Sequence, residues 1–67
     1  MMQVICNGEK KEIQPGTTIA GFLKNLGIRP ETVFVECDGV IIGRDEYATC
    51  ELSDGARLEL IRFVGGG

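Results

Sequence analysis

The 67-residue chain has no histidine and no tryptophan, and only one tyrosine, three phenylalanines and two prolines. Without histidine, the side chain that most readily moves protons near neutral pH is missing, along with the commonest nitrogen ligand for zinc. The three cysteines, Cys6, Cys37 and Cys50, are odd in number and widely spaced, with no CxxC pair. This argues against a disulfide scaffold, and three thiolates fall short of the four that an iron–sulfur cluster normally takes. A reducing cytoplasm is the expected compartment, and no metal site is expected. No stretch of 18 apolar residues occurs, so no membrane span and no membrane partner are expected. The opening residues lack the basic-then-apolar pattern of a secretory leader, so secretion is not expected. Ten acids against seven bases give a net charge of -3. That disfavours nucleic acid, whose phosphates need a basic face. It suits a partner with a basic surface, although solubility accounts for it equally well.

A catalytic role for the chain alone is the weakest reading. No carboxylates are paired at a recognisable spacing, and no glycine loop has the spacing that cradles phosphate. Asn7-Gly8-Glu9-Lys10 resembles such a loop only superficially and reads better as a hairpin turn. No catalytic residue is nominated.

What is present is a regular alternation of short elements. The apolar fraction of 43% and this punctuation indicate one folded domain. At this length a domain buries only about 60% of its unfolded surface, which leaves little room for a deep cleft. Met2 to Cys6 reads as a strand, and Asn7-Gly8 supplies the two positive-φ residues of a tight hairpin. Glu9 to Ile13 returns with Lys10 and Glu12 on one side and Lys11 and Ile13 on the other, a polar pattern that suits a sheet edge. Pro15-Gly16 ends it. Ile19, Phe22, Leu23 and Leu26 then form one helical stripe, with Thr17 or Thr18 as the cap. Gly27 stands where a left-handed cap is wanted, and Pro30 bars extension. Gly21 inside the helix costs about 1 kcal/mol relative to alanine, and a close approach of helix to sheet would explain it.

Thr32 to Cys37 alternates, with Val33, Val35 and Cys37 on one face and Phe34 and Glu36 on the other. Asp38-Gly39 is a second hairpin turn and Val40 to Ile42 a short return strand. Gly43 to Glu46 is a polar connection. Tyr47, Ala48 and Cys50 read as a loop or helical turn that tucks apolar atoms under the sheet. After a third tight turn at Asp54-Gly55, the strand from Arg57 to Val64 is the longest apolar segment and the expected centre of the sheet. One helix with one apolar stripe must cover one face of that sheet. A last strand lying parallel to the first closes an α+β fold, the β-grasp arrangement, with a mixed four- to five-stranded sheet. Residues 1–64 form the domain and 65–67 a glycine tail. Cys37 and Cys6 read as small buried hydrophobes, whereas Cys50 reads as exposed.

Gly65-Gly66-Gly67 follows the strand directly. Ordering glycine is entropically costly, and a bare backbone packs nothing. Three extended residues carry a carboxylate roughly 10 Å from the domain. A frayed end reads equally well from the tail alone.

The chain as a whole resembles the ThiS-type sulfur carriers, ubiquitin-like β-grasp proteins of thiamin thiazole synthesis. The resemblance lies in the Met2-Gln3-Val4 opening, the helix Thr18-Ile19-Ala20-Gly21-Phe22-Leu23-Lys24-Asn25-Leu26 and the hairpin Val33-Phe34-Val35-Glu36-Cys37-Asp38-Gly39-Val40-Ile41. It extends to the end Arg62-Phe63-Val64-Gly65-Gly66-Gly67. The chain departs from the family pattern at Gly43, where proline is usual before Arg44, and at Ala56, where aspartate is usual after Asp54-Gly55. Those departures concern loop geometry and partner fit.

The resemblance implies that an E1-like, ThiF-like adenylyltransferase activates the carboxylate of Gly67 with ATP. Sulfur from a persulfide-bearing donor then displaces AMP to leave a thiocarboxylate. It implies that Gly65 and Gly66 thread the partner's channel, and that a ThiG-like thiazole synthase, or another acceptor, receives the sulfur. No cofactor is bound; the modification is the thiocarboxylate itself, and the partner uses the ATP. The partner contact implied is the exposed sheet face near the tail, with Phe63, Leu58, Leu60 and Ile61 as apolar candidates and Arg62, Arg44 and Arg57 as a charged rim. The alternatives are a carrier like the molybdopterin-synthase small subunit, a ubiquitin-like protein modifier and a non-catalytic β-grasp interaction module.

Overall fold

The computed structural model describes residues 1–62; expectations that fall on Phe63, Val64 and Gly65, Gly66 and Gly67 lie outside the described residues. Five strands, β1 (Met2–Cys6), β2 (Glu9–Ile13), β3 (Val33–Cys37), β4 (Val40–Ile42) and β5 (Arg57–Arg62), form one sheet in the order β2-β1-β5-β3-β4. The last strand is therefore central, parallel to β1 and antiparallel to β3. The two hairpins are as the sequence predicts. Asn7 and Gly8 sit at φ 50 and 83, and Asp38 and Gly39 at φ 50 and 84. Only asparagine, aspartate and glycine enter that left-handed region at small cost.

Helix α1 (Ile19–Asn25) is capped by Thr18, whose hydroxyl accepts from the Gly21 N–H at 3.1 Å. Its end is a Schellman closure. The Gly27 N–H bonds to the Lys24 carbonyl at 3.0 Å, and the Ile28 N–H to the Leu23 carbonyl at 2.9 Å, with Gly27 at φ 74. This corrects the helical stripe. Leu26 is the cap residue and is 38% exposed, while Ile19, Phe22 and Leu23 carry the buried face. The proposed reason for Gly21 is also corrected. A Cβ there would meet Thr18 Oγ1 at 3.4 Å and Thr17 Cγ2 at 3.8 Å, so it would meet the cap and not the sheet.

The helix covers one face of the sheet. Val4, Cys6, Ile13, Val33, Val35 and Leu58 project towards it and are buried with Ile19, Phe22 and Leu23. The connection from β4 to β5 closes the core from below with Tyr47, Leu52 and Ala56. Its carbonyls also satisfy the helix start: the Ile19 N–H bonds to the Cys50 carbonyl at 3.0 Å and the Ala20 N–H to the Tyr47 carbonyl at 2.8 Å. The buried Tyr47 hydroxyl accepts from the Val35 N–H at 3.2 Å and donates to the Val33 carbonyl at 3.4 Å. Two short 3₁₀ turns, Pro30–Thr32 and Arg44–Glu46, flank the second hairpin. Strand β3 thus begins at Val33, one residue later than the alternation suggests. Cys50 is half-buried against the core, where its polar neighbours suggested exposure; Cys37 is half-buried and Cys6 buried.

Candidate partner-docking face

Cross-strand partners share a face, so the register sorts the side chains. Leu58 stands beside Cys6 and Cys37 on the helix side, and Leu60 beside Val35. Leu58 is 2% exposed and Leu60 is partly buried against the core. Both were candidates for partner contact, and both are removed by this register: their side chains already fill the core. Arg62 is exposed but pairs with Val33, which puts it on the helix side at the strand end. Arg44 lies in the 3₁₀ turn after β4, where its Nη2 donates to the Glu31 carbonyl at 3.4 Å. Of the described candidates, Ile61 and Arg57 are on the open face.

That open face is arranged in rows. Lys10, Ile5 and Arg57 lie side by side across β2, β1 and β5. Glu59, Glu36 and Ile41 make a second row across β5, β3 and β4, and Ile61 and Phe34 a third. The third row is nearest the C-terminal end of β5. Phe34 and Ile61 are each 46% exposed and Ile41 57%. Sequence reasoning missed Phe34 and Ile41 as surface anchors. The available signal was Phe34 itself, an aromatic on the strand phase otherwise occupied by Glu36. Ile41 gave no such signal, because Val40-Ile41-Ile42 is uniformly apolar and its faces are set by pairing with β3.

Turn side chains hold β5 in place. Asp38 Oδ1 accepts from the Arg57 N–H at 3.0 Å, and Asn7 Oδ1 accepts from the Leu60 N–H at 2.8 Å. Asp54 Oδ1 accepts from the Gln3 N–H at 2.8 Å at the mouth of the same strand. The residues that make the tight turns therefore also pin the strand leading to the glycines.

The Cys6 and Cys37 thiols are poor nucleophiles where they stand. Burial pushes the Cys6 thiol up, against a smaller opposing pull from Lys11. Burial pushes Cys37 up as well, reinforced by the Asp38 carboxylate and by Cys50. A thiol that resists ionisation is a weak attacking group. Among the described residues, no cluster of three cysteine or carboxylate groups could hold a metal ion, and no helix is long and apolar enough to cross a membrane.

The sequence profile of the ThiS family matches residues 4–67. A thiazole synthase of Magnetococcus marinus is 36% identical over 66 residues, and one of Paramagnetospirillum magneticum 33% identical over 66 residues. These matches cover 98% of this chain but only 20% of each relative, so the chain spans about a fifth of their length. The sulfur carrier protein ThiS of Bacillus subtilis is 38% identical over 50 residues, covering 75% of this chain and 76% of that protein. The crystal structure of the thiamine biosynthesis protein ThiS from Geobacter metallireducens superposes with a TM-score of 0.81 at 26% identity, covering 98% of this chain and 100% of that one. The mixed five-stranded sheet with one helix is thus the ubiquitin-like β-grasp of that structure, and the chain belongs to the ThiS family.

Proposed function

We propose that the chain is a sulfur carrier whose Gly67 carboxylate is adenylated by an E1-like, ThiF-like enzyme and converted to a thiocarboxylate that supplies sulfur to thiamin thiazole synthesis. The observation that carries this reading is the family match, which runs through the terminal glycines to residue 67. Two relatives named thiazole synthase make the thiazole pathway the favoured acceptor and a ThiG-like protein the favoured recipient.

The chemistry divides between two proteins. The partner supplies ATP, and attack of the carboxylate oxygen on the α-phosphate releases pyrophosphate and leaves an acyl-adenylate. The outer sulfur of a persulfide donor then displaces AMP to give an acyl disulfide, and a second thiol cleaves its S–S bond, leaving the thiocarboxylate on the carrier and a disulfide between that thiol and the donor. The carrier supplies only the acyl end, so it acts as a protein substrate and not as a catalyst. The Cys6 and Cys37 thiols, whose ionisation burial disfavours, are weak competitors for the activated acyl group. Gly65 and Gly66 suit a narrow channel because they present no Cβ. The apolar Phe34–Ile61 row, with Ile41 beside it and Arg57 further along the open face, is the contact surface that would hold the domain while the tail reacts. Phe63, the remaining apolar candidate, continues the chain directly after β5. The three cysteines, with no disulfide among them, suit a cytoplasmic setting.

Incubation with an E1-like partner, ATP and a sulfur source should raise the mass of the chain by about 16 Da, one oxygen exchanged for sulfur, as C-terminal proteolysis and mass spectrometry would locate. Deleting Gly66 and Gly67 should abolish that gain without altering thermal unfolding. Undiminished sulfur loading of the deleted form would end the proposal. Stable adducts to lysines in cell extract would point instead to a protein modifier.

A further inference from the structure

The middle row of the open face sets two like charges against each other. Glu36 on β3 and Glu59 on β5 are direct cross-strand partners, which puts their Cβ atoms about 5 Å apart. Glu36 is half-buried and Glu59 exposed. Among the described residues the ion pairs are Lys11–Glu9 and Arg29–Glu31, and neither the Glu36 nor the Glu59 carboxylate takes part in an ion pair or a side-chain hydrogen bond. Like charges opposed in this way weaken a sheet. The cations of this face, Lys10 and Arg57, lie in the row on the side away from Phe34 and Ile61. On the other side, Phe34 follows Glu36 along β3 and Ile61 follows Glu59 along β5, each two residues off and about 7 Å away.

That spacing ties the acid pair to the apolar row. A partner that covers Phe34 and Ile61 also takes water from the two carboxylates beside them. Stripping water from two unpaired carboxylates costs more than the apolar row returns, unless a cation meets them. We propose that the adenylyltransferase surface that covers this face presents an arginine over Glu36 and Glu59, next to an apolar hollow for Phe34 and Ile61. A planar guanidinium carries donors on two edges and bonds both carboxylates at once, which the point charge of a lysine does less well. The free chain keeps the two carboxylates opposed, and the partner relieves the repulsion. An apolar or acidic surface of the same shape is rejected, because it would strand two charges. The assignment rests on the carrier reading, since the surface in question is the one that holds the domain while Gly67 reacts, and it adds the charge which that surface must carry.

Isothermal titration of the full chain into the E1-like enzyme, at several salt concentrations, tests this. Glu36→Gln and Glu59→Gln keep the side-chain shape and remove the charge. Each should raise Kd about tenfold. Each should also raise the Tm of the free chain by about 2–4 °C, because the repulsion is gone. A pair with a purely structural role would not move stability and affinity in opposite directions. The chain carrying both substitutions should lose most of the salt dependence of binding. If Phe34→Ala weakens binding but the glutamine variants bind as the parent does, the face docks and the arginine is refuted. Tighter binding of the glutamine variants would refute it as well. A parent chain that is loaded with sulfur yet binds without salt dependence overturns this assignment and leaves the carrier reading standing. A parent that the enzyme neither binds nor loads overturns both.

Discussion

Replacing Phe34 with alanine separates the docking face from the tail. The ring is 46% exposed and its cross-strand neighbour Ile61 is equally exposed. A phenylalanine buries about 200 Å² when fully covered, so roughly 90 Å² of Phe34 remains for a partner to cover. At about 25 cal/mol per Å² that is worth about 2 kcal/mol, or close to thirtyfold in association. Ordering and imperfect fit reduce this, so a ten- to thirtyfold fall in kcat/KM for adenylation is expected. The assay is carrier-dependent pyrophosphate exchange by the E1-like enzyme, with carrier concentration varied. The loss should appear as a raised KM with kcat nearly unchanged, because the reacting carboxylate is untouched. Glu12→Ala, at the far β2 edge of the same face, should stay within twofold of the parent. A folded Phe34→Ala protein with unchanged kcat/KM would refute the assignment of this face, while leaving the tail chemistry standing.

Three further outcomes follow from the packing. Tyr47→Phe removes the hydroxyl that bridges the Val35 N–H and the Val33 carbonyl in the core, and should lower stability by about 1–3 kcal/mol in urea unfolding. Gly21→Ala adds a Cβ at ordinary contact distance from the cap, and should raise stability by about 0.5–1 kcal/mol, seen as a higher Tm. Burial raises the Cys6 thiol above its ordinary value of 9.0, so the unfolded chain loses that proton first. Stability should hold below pH 9.0 and fall as pH rises from there through the folded-state value. Cys6→Val should show a shallower alkaline fall in Tm than the parent, and an identical slope would remove Cys6 as its source.

Much of the architecture is legible residue by residue. Asn7-Gly8 and Asp38-Gly39 specify their turns because few other residue types enter positive φ cheaply. The Gly27 terminus and the Thr18 cap are local hydrogen-bonding problems with local solutions. The docking face was less legible. Leu58, Leu60 and Ile61 are chemically alike and adjacent, and only pairing with β1 and β3 decides that the first two face the helix. Leu26 continues the helical stripe by spacing, yet it falls on the cap because the Schellman closure ends the helix one residue earlier.

The sequence by itself determined the hairpin turns, the helix and the order of the strands along the chain, because turn chemistry, helical periodicity and strand alternation are short-range properties. The tertiary structure alone decided which apolar side chains remain in solvent. That outcome depends on cross-strand register: Phe34 and Ile61 meet on the open face because β3 and β5, far apart in the chain, pair with those two residues opposite each other. A one-residue slip would exchange them for Val35 and Leu60, and the core and the candidate contact surface would trade places.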